Sequence, residues 1–214
     1  MKVEIWSDVV CPWCYIGKRH FEQALARFDH RDEVEIVWRS YELDPTAPPV
    51  REGTTADYLS AKYGWSKEQV DQAHERVEGI AAQAGLDYHL DSTRGGNSFD
   101  AHRLLHLAAE VGKQDALKEA FLRAYFTDNE AVGDHAALTK VAVAVGLDEA
   151  EVMETLASDR FADAVREDEQ RARLLGISGV PFFAIDEAYG ISGAQPADHM
   201  LAALEHAWNA HAAA

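Results

Sequence analysis

Lys2-Val3-Glu4-Ile5-Trp6-Ser7-Asp8-Val9-Val10-Cys11-Pro12-Trp13-Cys14 is the stretch on which the fold turns. From Lys2 to Ser7, Val3 and Ile5 alternate on one face, the pattern of a half-buried strand. From Cys11 onward the period becomes helical, with Phe21, Leu25 and Phe28 at i, i+4 and i+7, and Asp29 to Asp32 forms a polar break. Val34-Glu35-Ile36-Val37-Trp38 then reads as a second strand. A helix of that length permits the right-handed crossover that makes the two strands parallel.

Cys11 and Cys14 are the two cysteines of the chain. Cys11 falls where strand hands over to helix, so free backbone N–H groups and the positive end of the helix dipole favour its thiolate. Cys11 is therefore the expected nucleophile, exposed at the helix N-terminus. Pro12 suits the first turn, where its missing N–H costs no hydrogen bond, and fixes the loop between the sulfurs. Cys14, one turn in, is expected to be buried and to resolve the mixed disulfide. In a reducing compartment so short a loop makes a poor structural disulfide. Half of a zinc site would need about two further ligands. No second cysteine pair supplies them, and the ten histidines are scattered.

The 214 residues carry 20 basic and 37 acidic side chains, a net charge of −17, which argues against a nucleic-acid partner and against an anionic lipid surface. With 47% hydrophobic and 27% charged residues, the chain has the material for a sizeable core under a soluble surface. The first residues contain no apolar signal-peptide region, and no 18-residue apolar run follows, so the expected location is cytoplasmic, without a membrane partner.

Pro45, Pro48 and Pro49 mark a boundary after Asp44, and helical signals dominate beyond it. Ser66 to Gln69 forms a capping box, Gly85 a stop, and Gly95-Gly96 a turn before Asn97 or Ser98 as the next N-cap. That helix carries Phe99, Leu104, Leu105 and Ala108, and closes at Gly112. Leu117 to Phe126, Ala136 to Val145, Glu149 to Ser158 and Arg160 to Leu175 read as further helices. Phe182 to Ile185 and Gly190 to Gly193 then form a hairpin, and Pro196 opens a last helix through Leu201, Leu204 and Trp208. An Ala-rich tail after His211 is expected to fray.

Gly179-Val180-Pro181-Phe182-Phe183 places a proline directly before a short strand, where either a cis bond in a sharp turn or an ordinary trans proline fits. Asp8, three residues before Cys11, is a candidate for proton transfer or a turn cap. His102 follows Phe99 by three positions and is a candidate for the cleft, with a satisfied core histidine as the alternative. Glu167-Asp168-Glu169 reads as a solvated helix face, and the tryptophans as core or cleft lining.

The CPWC motif, the VPFF segment and the helical block between two sheet-forming halves resemble DsbA-family thiol oxidoreductases, in particular their FrnE-like cytoplasmic branch. Trp6 to Cys14 and Asn97-Ser98-Phe99-Asp100-Ala101-His102-Arg103 are similar to that branch's signatures, and the resemblance spans essentially the whole chain. It implies an α/β, thioredoxin-like fold, with residues 1–44 and 159–214 in the thioredoxin-like domain and 45–158 in an all-helical insertion capping the site. It further implies that Val180-Pro181 is cis and packs beside the cysteines. Cys11, Cys14 and Pro181 are then the catalytic set, with Pro12, Trp13, Val180, His102 and Asp8 around the substrate. The implied activity is thiol–disulfide exchange on protein or peptide partners. It needs no metal or organic cofactor beyond the Cys11-Cys14 disulfide, with glutathione open as a reductant and a homodimer open as the assembly. 2-Hydroxychromene-2-carboxylate isomerases and kappa-class glutathione transferases resemble the chain in layout but usually carry serine where Cys11 stands. A glutathione-dependent isomerase or transferase is thus one alternative, and a redox-sensing chaperone or adaptor another.

Overall fold

The computed structural model describes residues 1–212. Strand β1 (Lys2–Ser7), helix α1 (Pro12–Arg27) and strand β2 (Glu35–Ser40) form the first unit. Strands β1 and β2 run parallel, with Val3 opposite Ile36 and Ser7 opposite Ser40. Seven helices follow: α2 (Thr55–Tyr63), α3 (Lys67–Gln83), α4 (Phe99–Glu110), α5 (Gln114–Phe126), α6 (His135–Ala144), α7 (Glu149–Ala157) and α8 (Ala162–Leu174). Strands β3 (Phe182–Ile185) and β4 (Tyr189–Ser192) and helix α9 (Ala197–Ala212) complete the described residues. The sheet order is β2-β1-β3-β4, with β3 antiparallel to β1 and to β4. This is a thioredoxin-like α/β fold with a large helical block between its halves, the class expected from the sequence. Of the Ala-rich tail after His211, residues 213–214 lie outside the described residues.

Local chemistry sets the element starts. Ser66 and Gln69 close the expected capping box on α3, and Thr54 with Asp57 makes a second one on α2. Ser98 occupies the N-cap position of α4 without a side-chain bond; Asn97 Oδ1 instead accepts from the Phe99 N–H at 2.8 Å. Pro12 takes the first turn of α1, and Cys11 is its extended N-cap.

Helix α1 divides the interior. Its Phe21, Ala24 and Phe28 pack with Val3, Ile5, Phe183, Ile185, Met200 and Leu204 between the sheet and α9. Its Tyr15 and Ile16 join Leu104, Leu105, Phe121, Phe126 and Leu138 in the core of the helical block. Each of the Val, Leu, Ile, Phe and Met side chains among these contributes roughly 1.5–3 kcal/mol when buried. The block is therefore fastened to the sheet half through the helix that carries the cysteines.

The acidic run of α8 does not form the expected solvated face. Glu167 is exposed, but Asp168 and Glu169 are buried. Asp168 accepts from the Ser40 N–H at 2.9 Å and from Arg39 at 3.0 Å, with His106 Nε2 at 3.2 Å. The Glu42 N–H donates to Glu169 at 3.3 Å. β2 is an edge strand, so its last N–H groups have no neighbouring strand to pair with, and α8 supplies carboxylates instead.

Beside Glu169 the Glu42 side chain is fully buried, bonded to Arg166 at 2.5 Å and to the Asn97 amide at 3.2 Å. Burial first, then the neighbouring Glu169 charge, outweighs Arg166 and pushes the Glu42 carboxyl up to about 7. The folded state thus holds this proton up to about pH 7, whereas an unfolded glutamate releases it near pH 4.5. Stability contributed by the protonated form is lost as pH rises through that window. Glu42→Gln should shrink the fall in unfolding free energy between pH 5 and pH 8 by about 2 kcal/mol, measured by urea titration at the two pH values.

Candidate active site

Cys11 and Cys14 are both free thiols at the start of α1, and the Cys14 N–H donates to the Cys11 carbonyl at 3.0 Å. Cys11 is only 3% exposed and Cys14 1%, so the expectation of an exposed Cys11 is corrected. The cause is the β3-side loop: Val180 and Pro181 close over the N-cap, and the Cys11 thiol donates to the Val180 carbonyl at 3.5 Å. The Val180-Pro181 peptide is cis. Half-buried Pro12 and 38%-exposed Trp13 lie between the cysteines and open toward solvent. Cys11 sits under the rim of the loop; Cys14 sits deeper.

The two sulfurs titrate together. Burial raises both thiols, but sharing the Cys11 S–H, with the Lys118 and Ser7 side chains close by, brings the first ionisation, at Cys14, below the ordinary thiol range. Burial and the negative charge already on Cys14 push the second, at Cys11, well above it. Between the two ionisations the reduced pair holds one proton and one negative charge.

Asp8 and His102, separate candidates in the sequence, meet in the structure. Both are buried, with His102 Nε2 3.3 Å from Asp8 Oδ1, and the Leu43 N–H donates to Asp8 Oδ2 at 2.8 Å. Burial would raise the Asp8 carboxyl, yet the His102 hydrogen bond and charge and the Leu43 N–H together hold it below the usual carboxylate range. Burial lowers His102 by more than Asp8 raises it, which favours the neutral imidazole. Its Nδ1 is buried without a hydrogen-bond partner.

Two further residues were not signalled as site residues in the sequence. Tyr88, from the segment between α3 and α4, donates its hydroxyl to the Pro12 carbonyl at 2.7 Å and stacks on Phe126 at 4.6 Å, so the helical block pins the CPWC turn. Lys118 of α5 is fully buried, donates Nζ to the Ser7 carbonyl at 3.2 Å, and lies 5.5 Å from the Trp38 ring centroid. The available signal was phase: Lys118, Phe121, Leu122 and Tyr125 fall at i, i+3, i+4 and i+7, which puts a lysine on the apolar stripe.

A cavity of about 540 Å³ opens beside the motif, with Asp8, Val10 and Pro12 on one side and Tyr58, Leu59 and Trp65 of the α2–α3 region on the other. Close packing also fixes the loop on the opposite side. A Cβ on Gly17 would stand 2.8 Å from Cγ of Pro181. Gly17→Val should displace the Val180-Pro181 loop and slow any exchange at Cys11 by about tenfold or more, while a weaker effect is expected at Cys14; thiol-specific labelling rates of the two cysteines check this.

A cysteine pair at the N-terminus of the first helix of a thioredoxin-like sheet, under a proline loop and against a helical block, defines a protein of the DsbA-like class. The model of the DSBA-like thioredoxin domain family matches residues 2–205, and the chain belongs to that family. The crystal structure of the probable DsbA oxidoreductase SCO1869 from Streptomyces coelicolor is similar at 49% identity and a TM-score of 0.93, covering 98% of this chain and 90% of that one. The uncharacterized protein YwbO of Bacillus subtilis (strain 168) is 28% identical over 187 residues, 86% of either chain. The cytosolic disulfide reductase DsbM from Pseudomonas aeruginosa with GSH shares the fold at 16% identity and a TM-score of 0.69, covering 98% of this chain and 100% of that one. No helix among the described residues is long and apolar enough to cross a membrane.

Proposed function

We propose that the protein is a cytoplasmic thiol–disulfide oxidoreductase of the FrnE-like branch, working through Cys11 and Cys14. The observation that carries this is the pairing of two free thiols at one helix N-terminus with Cys11 bonded to the Val180 carbonyl beside Pro181. An incoming disulfide takes over that position. Its extended backbone pairs with the Val180 edge while its sulfur meets Cys11. Cys11 attacks as the thiolate, formed as the single proton of the pair passes from Cys11 to Cys14. Cys14 then attacks Cys11 Sγ, the Cys11–substrate bond breaks, and the substrate leaves as a thiolate. The reverse sequence oxidises a dithiol. Pro12 and Trp13 flank the approach, Pro181 holds the loop, and the Asp8–His102 pair fixes the turn below. The chemistry runs on the Cys11–Cys14 disulfide alone, with glutathione as reductant and thiol- or disulfide-bearing proteins or peptides as partners.

The cavity beside Pro12 favours one second reading, a glutathione-dependent transformation of a small molecule. The two are separated by Cys14→Ser. Exchange requires that this variant accumulate a mixed disulfide through Cys11 when offered oxidised glutathione or disulfide-bonded insulin, seen as an added mass at Cys11. A variant that keeps full turnover without trapping any thiol would assign the protein to the isomerase or transferase chemistry.

A further inference from the structure

His74 of α3 is buried, only 6% exposed, and keeps one polar atom open. Its Nδ1 lies 2.8 Å from Oδ1 of Asp91, whose side chain faces solvent, and among the described residues its Nε2 has no hydrogen-bond partner. The ring forms part of the wall of the 540 Å³ cavity, whereas Asp91 lies outside that wall. Nε2 is therefore the atom the ring has left for the cavity. When a neutral imidazole gives its Nδ1–H to a carboxylate, the other nitrogen is a bare acceptor. The remaining buried polar groups of the wall are answered from within the protein. The Tyr125 hydroxyl meets Thr55 Oγ1 at 3.0 Å, and Thr55 donates in turn to the Thr93 carbonyl at 3.2 Å. Asp8 holds His102 and the Leu43 N–H, and Arg51 pairs with Asp44. Lys62 stands at the exposed rim, 5.2 Å from the Tyr58 ring centroid.

The rest of the wall is apolar, with Val10, Leu59, Val77, Leu90 and Phe126 contributing side chains and Tyr58 and Trp65 adding flat ring faces. The volume falls within the range of about 300–1,000 Å³ usual for small-molecule sites. Such a space favours rings, and a buried acceptor in it selects for a ligand that brings a donor, because an unmet acceptor costs more than the bond itself contributes. A carboxylate brings no proton, and Asp8 and Asp44 in the wall of a chain of net charge −17 repel it. We propose that the cavity is a binding site for a small, uncharged hydroxyaryl molecule, whose rings fill the apolar part and whose O–H donates to His74 Nε2, with Asp91 as the positioning residue that fixes the imidazole tautomer. Trp13, Val180 and Pro181 are not in this wall, so the site is separate from the place where a disulfide would meet Cys11, and it stands whether or not the exchange function does. Val10 and Pro12, the neighbours of Cys11 on either side, form the boundary between the two.

The test measures binding by equilibrium dialysis at pH 8 with the full chain and three probes: 2-naphthol, its methyl ether, which has the same rings without the donor, and 2-naphthoate. Wild type should bind 2-naphthol about tenfold more tightly than the ether, and 2-naphthoate more weakly than 2-naphthol. In His74→Phe, which keeps a ring and removes the acceptor, that preference should fall to within about twofold, while affinity for the ether stays within about threefold of wild type. Asp91→Asn lets the ring adopt either tautomer and should reduce the preference to about threefold. In wild type labelled with ¹⁵N-histidine, 2-naphthol should move the resonance of an unprotonated Nε2 and the ether should not, a readout that decides the matter should His74→Phe fail to fold. Equal binding of 2-naphthol and its ether by wild type, or a preference that survives in His74→Phe, overturns the role of His74. Tighter binding of 2-naphthoate makes the site an anion site and overturns the donor chemistry. N-acetyltyrosinamide binding more tightly than 2-naphthol assigns the cavity to a tyrosine side chain of a peptide and overturns the small-molecule ligand. None of these results bears on whether Cys11 exchanges disulfides, which the Cys14→Ser trap decides.

Discussion

Cys11→Ser should bring disulfide exchange down to the uncatalysed rate, a loss of at least about 10³-fold, or more than about 4 kcal/mol of transition-state stabilisation. A serine hydroxyl in the same place can still bond to the Val180 carbonyl, so the loop and the N-cap are kept while the nucleophile is lost. The fold should therefore survive, with an unchanged far-ultraviolet spectrum and a melting temperature close to that of the wild type. Insulin reduction with glutathione as the electron source checks the activity. Turnover within about tenfold of wild type would show that Cys11 is not the attacking sulfur.

Arg103→Ala should destabilise the protein by about 3–5 kcal/mol, the cost of breaking one side of a buried charged network. Arg103 is buried in α4 and donates to the carbonyl oxygens of Thr155, Ser158 and Arg160, the last at 2.9 Å, as well as to Asp100 at 2.7 Å. These carbonyls belong to the end of α7 and the link to α8, where Phe161 takes a left-handed φ of 64° as the N-cap of α8. Removing the guanidinium takes the charged donor from three backbone carbonyls where the chain returns from the helical block to the sheet half, and leaves the Thr155 carbonyl only a long bond from the Ser158 hydroxyl. Chemical denaturation should show a lower midpoint with little change in slope, and Arg103→Lys should recover only part of the loss, because one ammonium cannot reach all of those carbonyls in the fork geometry. A loss below about 1 kcal/mol would mean that water takes over these bonds.

The resistance of Cys11 to easy exposure bears on both halves of the protein. On the proposed function, a thiol tucked under Val180 is shielded from incidental oxidants and becomes reachable when a substrate strand displaces the Val180 carbonyl contact. The Tyr88 bond to Pro12 then keeps the CPWC turn attached to the helical block while the loop on the other side yields. Loop and block thus hold the motif from opposite sides, one through a contact that a substrate can replace and the other through a buried aromatic stack.

What the sequence alone determined is what depends on near neighbours. The alternation of Val3 and Ile5, the i, i+4, i+7 spacing of Phe21, Leu25 and Phe28, and Pro12 in a first turn specify a strand, a helix and the place where the cysteines fall between them. The Ser66 capping box and the glycine stops delimited the helical block for the same reason: caps act within one turn. Tertiary structure decided the rest. Asp8 and His102 are 94 positions apart, Ser7 and Lys118 are 111, and Ser40 and Asp168 are 128, so no local period ties one to the other. A lysine on an apolar stripe or an aspartate in an acidic run reads as exposed because water is the default partner of a charge. Whether a sheet edge, a backbone carbonyl or an imidazole replaces that water depends on which elements pack together, and the helical block meets the cysteine helix only in the folded chain.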